Sequence, residues 1–242
     1  LIGAVRIVSI ESGFLIDTES ASHDAVLKTI SRFMLAGDFH VSDVTNEIAL
    51  VTVQGKRAGE VIKDVTASVI RATHTGEDGY DLLTDVNDVS SMTGQLVSAG
   101  AQVVSPATFE ILRIEAGIPR HGQDMDESNV VLETNLDDAI SYTKGCYLGQ
   151  EIIIRIKHRG HVAKKLTGFK FDAAVESGAT ITSEDGKEIG RVTSATYSPK
   201  LESPIALGYV RHEFLNQGTT VKAGDISGTV MELPFVRGSW YE

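Results

Sequence analysis

Gly190-Arg191-Val192-Thr193-Ser194-Ala195 and Ile205-Ala206-Leu207-Gly208-Tyr209-Val210, with the Ser198-Pro199 turn between them, form the stretch whose reading decides the fold. Two short apolar runs bounded by turn residues are the signature of paired strands. The same pattern extends outward on both sides. Residues 166–171 precede it, residues 220–221 and 226–233 follow it, and turn signals fall at Glu184-Asp185-Gly186, Asn216-Gln217-Gly218 and Lys222-Ala223-Gly224. Evenly spaced short strands without a convincing helix predict a small closed β-barrel or sandwich over residues 161–242.

Upstream of Gly160 the element types mix. Residues 5–10 and 14–17 flank Glu11-Ser12-Gly13 as a hairpin. Val26, Leu27, Ile30, Phe33 and Met34 recur at helical spacing, with Ser22 or Asp24 as N-cap and Gly37 as the stop. A strand over 48–53 closes at Gly55 and leads into a short helix through Val61. Residues 69–72 and 80–84 read as paired strands around Thr75-Gly76-Glu77-Asp78-Gly79. A helix over 89–97 stops at Gly100, residues 101–104 read as a short strand, and Ser105-Pro106 opens a helix carrying Phe109, Ile111, Leu112 and Ile114. Irregular alternation of this kind predicts an α+β body with antiparallel sheets over residues 1–160, not a doubly wound parallel sheet.

The composition is that of an ordinary globular chain: 42% hydrophobic, 23% charged, one cysteine. One cysteine cannot close an internal disulfide, which points to a reducing compartment, the cytoplasm or, in a eukaryote, the mitochondrial matrix. No apolar run is long enough to span a membrane, and no secretory leader is evident. The net charge of -11 opposes broad attraction to nucleic acid. Locally the balance reverses. From Lys144 to Lys170 there are seven basic residues (Lys144, Arg155, Lys157, Arg159, Lys164, Lys165, Lys170) and one acid, Glu151. This band reads either as a lysine-protected strand edge or as a cationic rim for an anionic ligand, such as a polyglutamate tail, a phosphate or RNA. The chain begins at Leu1, and Leu1 to Val8 reads as the middle of a strand system already under way.

Three constellations could carry chemistry. In Arg71-Ala72-Thr73-His74-Thr75-Gly76-Glu77-Asp78-Gly79-Tyr80-Asp81 the glycines permit tight turns that bring Glu77 to a loop tip. There its carboxylate suits a planar edge with two donors, such as that of a pterin, though a solvated acidic turn is the plainer reading. In Arg113-Ile114-Glu115-Ala116-Gly117-Ile118-Pro119, Arg113 sits among apolar residues as a structural ion-pair partner or a carboxylate clamp. In Lys144-Gly145-Cys146-Tyr147-Leu148-Gly149-Gln150-Glu151 the lone thiol is either a small buried hydrophobe or a thiolate favoured by Lys144 and the glycine-rich turn. His158 and His161 match no zinc spacing, and no Walker, Rossmann or hydrolase-elbow motif is present.

The last octapeptide resembles the K-G-C-[FY]-x-G-Q-E signature of YgfZ proteins, folate-binding relatives of the glycine cleavage T-protein (aminomethyltransferase) associated with iron-sulfur cluster assembly or repair and with tRNA modification. Thr75-Gly76-Glu77-Asp78-Gly79-Tyr80 is similar to the folate-site hairpin of T-proteins, and Leu112 to Pro119 to their L-R-x-E-x-G-x-P helix. Residues 190–194 and 206–211 resemble the terminal barrel of that superfamily. The resemblance implies a tetrahydrofolate ligand, with Glu77, Tyr80, Arg113 and Gln150 at or supporting its site and Cys146, with Lys144, as a functional thiol. It also implies iron-sulfur client or assembly proteins as partners and leaves room for a tRNA contact. The superfamily carries a further N-terminal segment, holding the aspartate of true aminomethyltransferases; this chain starts after it, either because that segment lies upstream of Leu1 or because this is a reduced variant. Whether the chain is itself a transferase stays open at this point.

Overall fold

The computed structural model describes residues 1–242 apart from Ala36, with Arg159 described by its backbone alone. The chain divides into two compact units: Leu1–Val41 with Pro119–Glu232, and Ser42–Ile118 with Leu233–Glu242.

The first unit is built on the barrel. Its strands are β6 (Lys164–Phe171), β7 (Thr180–Thr182), β8 (Glu188–Ser198), β9 (Ser203–Arg211), β10 (Thr220–Ala223) and β11 (Ile226–Met231). They close in the order β10-β11-β6-β9-β8-β7, every pair antiparallel. Closure rests on β7 and β10, where Lys222 pairs with Thr182 and Ala223 with Ile181. It removes the unpaired strand edges that an open sheet would expose. Phe169, Phe171, Ile181, Val192, Ala206, Val210, Val221 and Val230 fill the interior and are at most 1% exposed. Gly190 is required by the tight β8–β9 approach, since a Cβ there would lie 1.9 Å from the Tyr209 carbonyl oxygen.

Between Val192 and Ser194 the register of β8 against β9 shifts. This irregularity turns Thr193 and Ser194 toward one acceptor, and both hydroxyls donate to Asp124 Oδ1 at 2.6 Å. Asp124 is buried, and its Oδ2 accepts from the Arg120 amide at 3.0 Å. Burial first, then the Asp124, Glu133 and Asp126 carboxylates, push the Tyr209 phenol well above its ordinary range. It therefore stays neutral.

The same unit carries the hairpin of β1 (Val5–Ile10) and β2 (Gly13–Thr18), tied by the Arg6–Asp17 ion pair at 2.8 Å. The helix that follows, α1, spans His23–Ser31. Phe33 and Met34 were expected within it, yet they lie in turns, and the helix ends well before Gly37. The basic band departs furthest from expectation. Gln150–Arg159 form helix α5, and Lys164, Lys165 and Lys170 sit on β6 between β11 and β9. A closed barrel gives β6 no free edge, so the strand-edge reading of these lysines fails.

The second unit is a three-stranded antiparallel sheet with helices. Its strands β3 (Ile48–Gln54), β4 (Ser68–Arg71) and β5 (Gly79–Asp85) are ordered β3-β5-β4. Helix α2 (Ala58–Val61), helix α3 (Val89–Ser98) and helix α4 (Pro106–Glu115) complete it. Met92 and Leu96, one turn apart on α3, join Val53, Ala58 and Leu82 in its core. At the start of α4 the Ser105 hydroxyl accepts the Thr108 amide at 3.1 Å, with Pro106 in the first turn, as the sequence predicts. The strand expected over 101–104 does not form: these residues have no regular structure and link α3 to α4. They lack a partner strand, and Val103 is 77% exposed.

The barrel core sets a stability expectation. Phe169→Ala should lower the unfolding free energy by about 3–5 kcal/mol, read from urea midpoints. Tyr197→Ala, at a position 56% exposed, should stay within about 0.5 kcal/mol of the parent.

Candidate functional site

The loop between β4 and β5 is built around one amide side chain. Gln54, the last residue of β3, donates from Nε2 to the Ala72 carbonyl at 3.1 Å and accepts the His74 amide on Oε1 at 2.9 Å. The loop mouth is closed by Ala72 N donating to Gly79 O at 3.0 Å and Gly55 N to Asp78 O at 2.7 Å. Gly79 cannot be larger, since a Cβ would fall 2.2 Å from Gln54 Nε2. Gly76 has φ +75° and packs against Ala116. Thr75 and Gly76 are buried, so the segment is an ordered loop and not a solvated tip.

Glu77 is held from the far end of the chain. Its Oε2 accepts both the amide (3.0 Å) and the hydroxyl of Ser239, and the Ser239 hydroxyl in turn accepts the Asp78 amide at 2.9 Å. The Trp240 amide donates to Gly76 O at 3.2 Å, while Arg71 pairs with Asp78 at 2.9 Å and lies over the Trp240 ring at 4.4 Å. Glu77 Oε1 accepts no hydrogen bond among the described residues. With the Ser239 segment in place, Glu77 therefore offers one carboxylate oxygen and not two.

The other residues read from the sequence divide between the units. Tyr80 lies on β5 opposite Val53 and Arg71, with its ring against Gly59. Arg113, on α4, is buried; its Nε donates to Glu110 Oε2 at 3.0 Å, and its Nη atoms donate to Glu110 Oε1 and to the Ile118 carbonyl. These contacts are those of an ion pair that also fixes the chain leaving α4. Glu77, Tyr80 and Arg113 belong to the second unit. Lys144, Cys146 and Gln150 belong to the first.

Cys146 is exposed, in an irregular stretch that ends at Gly149 (φ 84°) just before α5. The Lys144 ammonium lies 4.7 Å from the centre of the Tyr147 ring, and Gln150 opens α5 with its amide donating to Tyr147 O at 3.2 Å. Burial of the thiol, the plainer sequence reading, does not hold.

Sequence reasoning missed Ser239, because nothing near it in the chain points 162 residues back to Glu77. It also missed the pair formed by His74 and Asp81, whose signal was legible: an acid placed in the apolar run Tyr80-Asp81-Leu82-Leu83.

Residues 62–144 match the family described as the GCVT N-terminal domain, and residues 164–237 match the glycine cleavage T-protein C-terminal barrel domain. Over both stretches the chain is similar to glycine cleavage T-proteins. It is 28% identical over 251 residues to an aminomethyltransferase of Rubrobacter xylanophilus, covering 93% of this chain and 67% of that protein. It is 30% identical over 229 residues to an aminomethyltransferase of Symbiobacterium thermophilum, covering 81% and 61%. A chloroplastic Arabidopsis thaliana protein named as a candidate transferase is 26% identical over 249 residues, and the chain spans 93% of itself and 57% of that relative. The crystal structure of the glycine cleavage system aminomethyltransferase T from Bartonella henselae superposes with a TM-score of 0.83 at 22% identity, over 97% of this chain and 72% of that one. The T-protein arrangement of an α+β domain and a terminal six-stranded barrel is thus the fold of this chain. Among the described residues no helix is long and apolar enough to cross a membrane.

Ser239→Ala should remove one donor from Glu77 and leave the Asp78 amide without its acceptor. The expected result is a loss of about 1–2 kcal/mol together with faster hydrogen exchange at the Asp78 amide; exchange as slow as in the parent would show that the hydroxyl does not hold the loop.

Proposed function

We propose that this chain binds tetrahydrofolate at the β4–β5 loop and serves one-carbon transfer of the kind for which its aminomethyltransferase relatives are named. The observation that carries the proposal is Glu77, held on a rigid loop by Ser239 with Oε1 left to accept a donor. A carboxylate oxygen fixed in this way suits an N–H or amino group at a pterin edge. Tyr80 supports the loop from β5, and Arg113 supports it through α4, whose end runs on to Ala116 against Gly76. The names of the relatives and the two family matches favour the same reading. Glu77→Gln should weaken tetrahydrofolate binding by about 1.5–3 kcal/mol, the worth of one hydrogen bond to a charged group. Titration calorimetry giving the same affinity for the parent and the variant would falsify the placement at Glu77.

One observation favours a second role. Cys146 is exposed beside Lys144 and the start of α5 at Gln150, which suits a thiol that meets a partner. In this reading the folate-binding chain is a YgfZ-like accessory to iron-sulfur cluster assembly or repair and, through client enzymes, to tRNA modification, in the cytoplasm or the mitochondrial matrix. Complementation separates the readings. Cys146→Ala should fail to restore iron-sulfur enzyme activities in a deletion strain while leaving tetrahydrofolate binding intact, and full restoration removes the thiol role.

A further inference from the structure

Asp81 lies on β5, the central strand of the second unit's sheet, opposite Thr52 on β3 and Ile70 on β4. Its side chain is fully buried, and its sequence neighbour Leu82 belongs to the core. A carboxylate in such a place is costly unless donors meet it. His74 meets it with Nε2, 2.9 Å from Oδ2 and 3.1 Å from Oδ1. A carboxylate only accepts, so Nε2 carries the hydrogen of the neutral ring and the lone pair resides on Nδ1. Among the described residues Nδ1 makes no hydrogen bond, and the His74 side chain is 36% exposed. The backbone of His74 is pinned by Gln54 through its amide, and the Phe109 ring lies 6.3 Å from the imidazole at 47°. The ring therefore has a fixed tautomer and a supported position. Three residues on, Glu77 carries the loop's other open acceptor, Oε1.

We propose that His74 and Asp81 form a proton-transfer pair for the ligand held at Glu77, with Nδ1 as the atom that takes and returns the proton. Asp81 is the positioning residue: it sets the tautomer and stabilises the imidazolium that forms. The ligand class is an amine of a reduced pteridine, so the proposal rests on the tetrahydrofolate reading. The step balances without any redox partner. The amine nitrogen attacks the methylene carbon of an aminomethyl donor, forming a C–N bond. The donor's own C–N bond breaks, and its electron pair stays on the leaving amine. The proton lost by the attacking nitrogen passes to His74 Nδ1, and from there to the leaving amine, which restores the neutral ring.

The test uses the full chain with 15N-labelled histidine. Long-range 1H–15N spectra of the parent should show His74 with a protonated Nε2 and an unprotonated Nδ1, the resonance being assigned by its loss in His74→Gln. Saturating tetrahydrofolate should shift the Nδ1 resonance. Asp81→Asn should turn the tautomer over, since the amide then donates to Nε2. His74→Gln, at a partly exposed position, should bind tetrahydrofolate as the parent does in calorimetry yet slow one-carbon transfer about 100-fold. Binding with an unmoved Nδ1 resonance, a proton resident on Nδ1 in the parent, or full transfer by His74→Gln each overturns the pair while leaving the folate reading in place. Absence of tetrahydrofolate binding to the parent overturns the folate reading and the proposal with it.

Discussion

The β4–β5 loop exists because the amide of Gln54 answers its backbone. A buried loop is rare because its N–H and C=O groups have no water to bond. Gln54 supplies a donor for Ala72 O and an acceptor for His74 N from one planar group, reaching in from the neighbouring strand. Everything chemical in the second unit sits on the loop so fixed: Glu77 with one open oxygen, and His74 turned back to Asp81. A shorter or apolar side chain at this place would leave those backbone groups unpaired, and the two acceptors would lose their common frame.

The barrel unit solves the same problem by another route. Backbone groups of its strands are paired around a closed ring, so polar side chains are needed only where the ring is irregular. The register shift of β8 is such a place, and the buried Asp124 carboxylate collects the two hydroxyls that the shift turns toward it. The buried carboxylate is tolerated there because Oδ1 accepts two hydroxyls at 2.6 Å and Oδ2 accepts the Arg120 amide at 3.0 Å. Burial raises the Tyr209 phenol most, and the same carboxylate adds to it, so the acid that satisfies the irregular strand also disfavours charge on its neighbour.

Patterns carried by local chemistry were legible in the sequence. Turn residues and short apolar runs announced five of the six barrel strands, leaving only the three residues of β7 unmarked. Ser105 and Pro106 announced the start of α4. The segment over 150–159, part of the basic band that also read as a strand edge, forms an amphipathic helix with Arg155, Lys157 and His158 exposed. The short run at 101–104 misled in another way, since strand propensity without a partner strand gives no strand. The turn around Glu77 was signalled by its glycine neighbours, but the carboxylate's geometry was not, because the Ser239 contact depends on a return of the chain that no local pattern encodes.

That return sets an order of events. As the chain is synthesised from its N-terminus, β3, β4 and β5 emerge early and can pair at once. Glu77 then waits for a partner 162 residues away, behind a complete barrel. The carboxylate at the centre of the candidate site therefore takes up its final setting only after residues 239–240 have been synthesised, and a nascent chain that had not reached them would display the loop without its clasp.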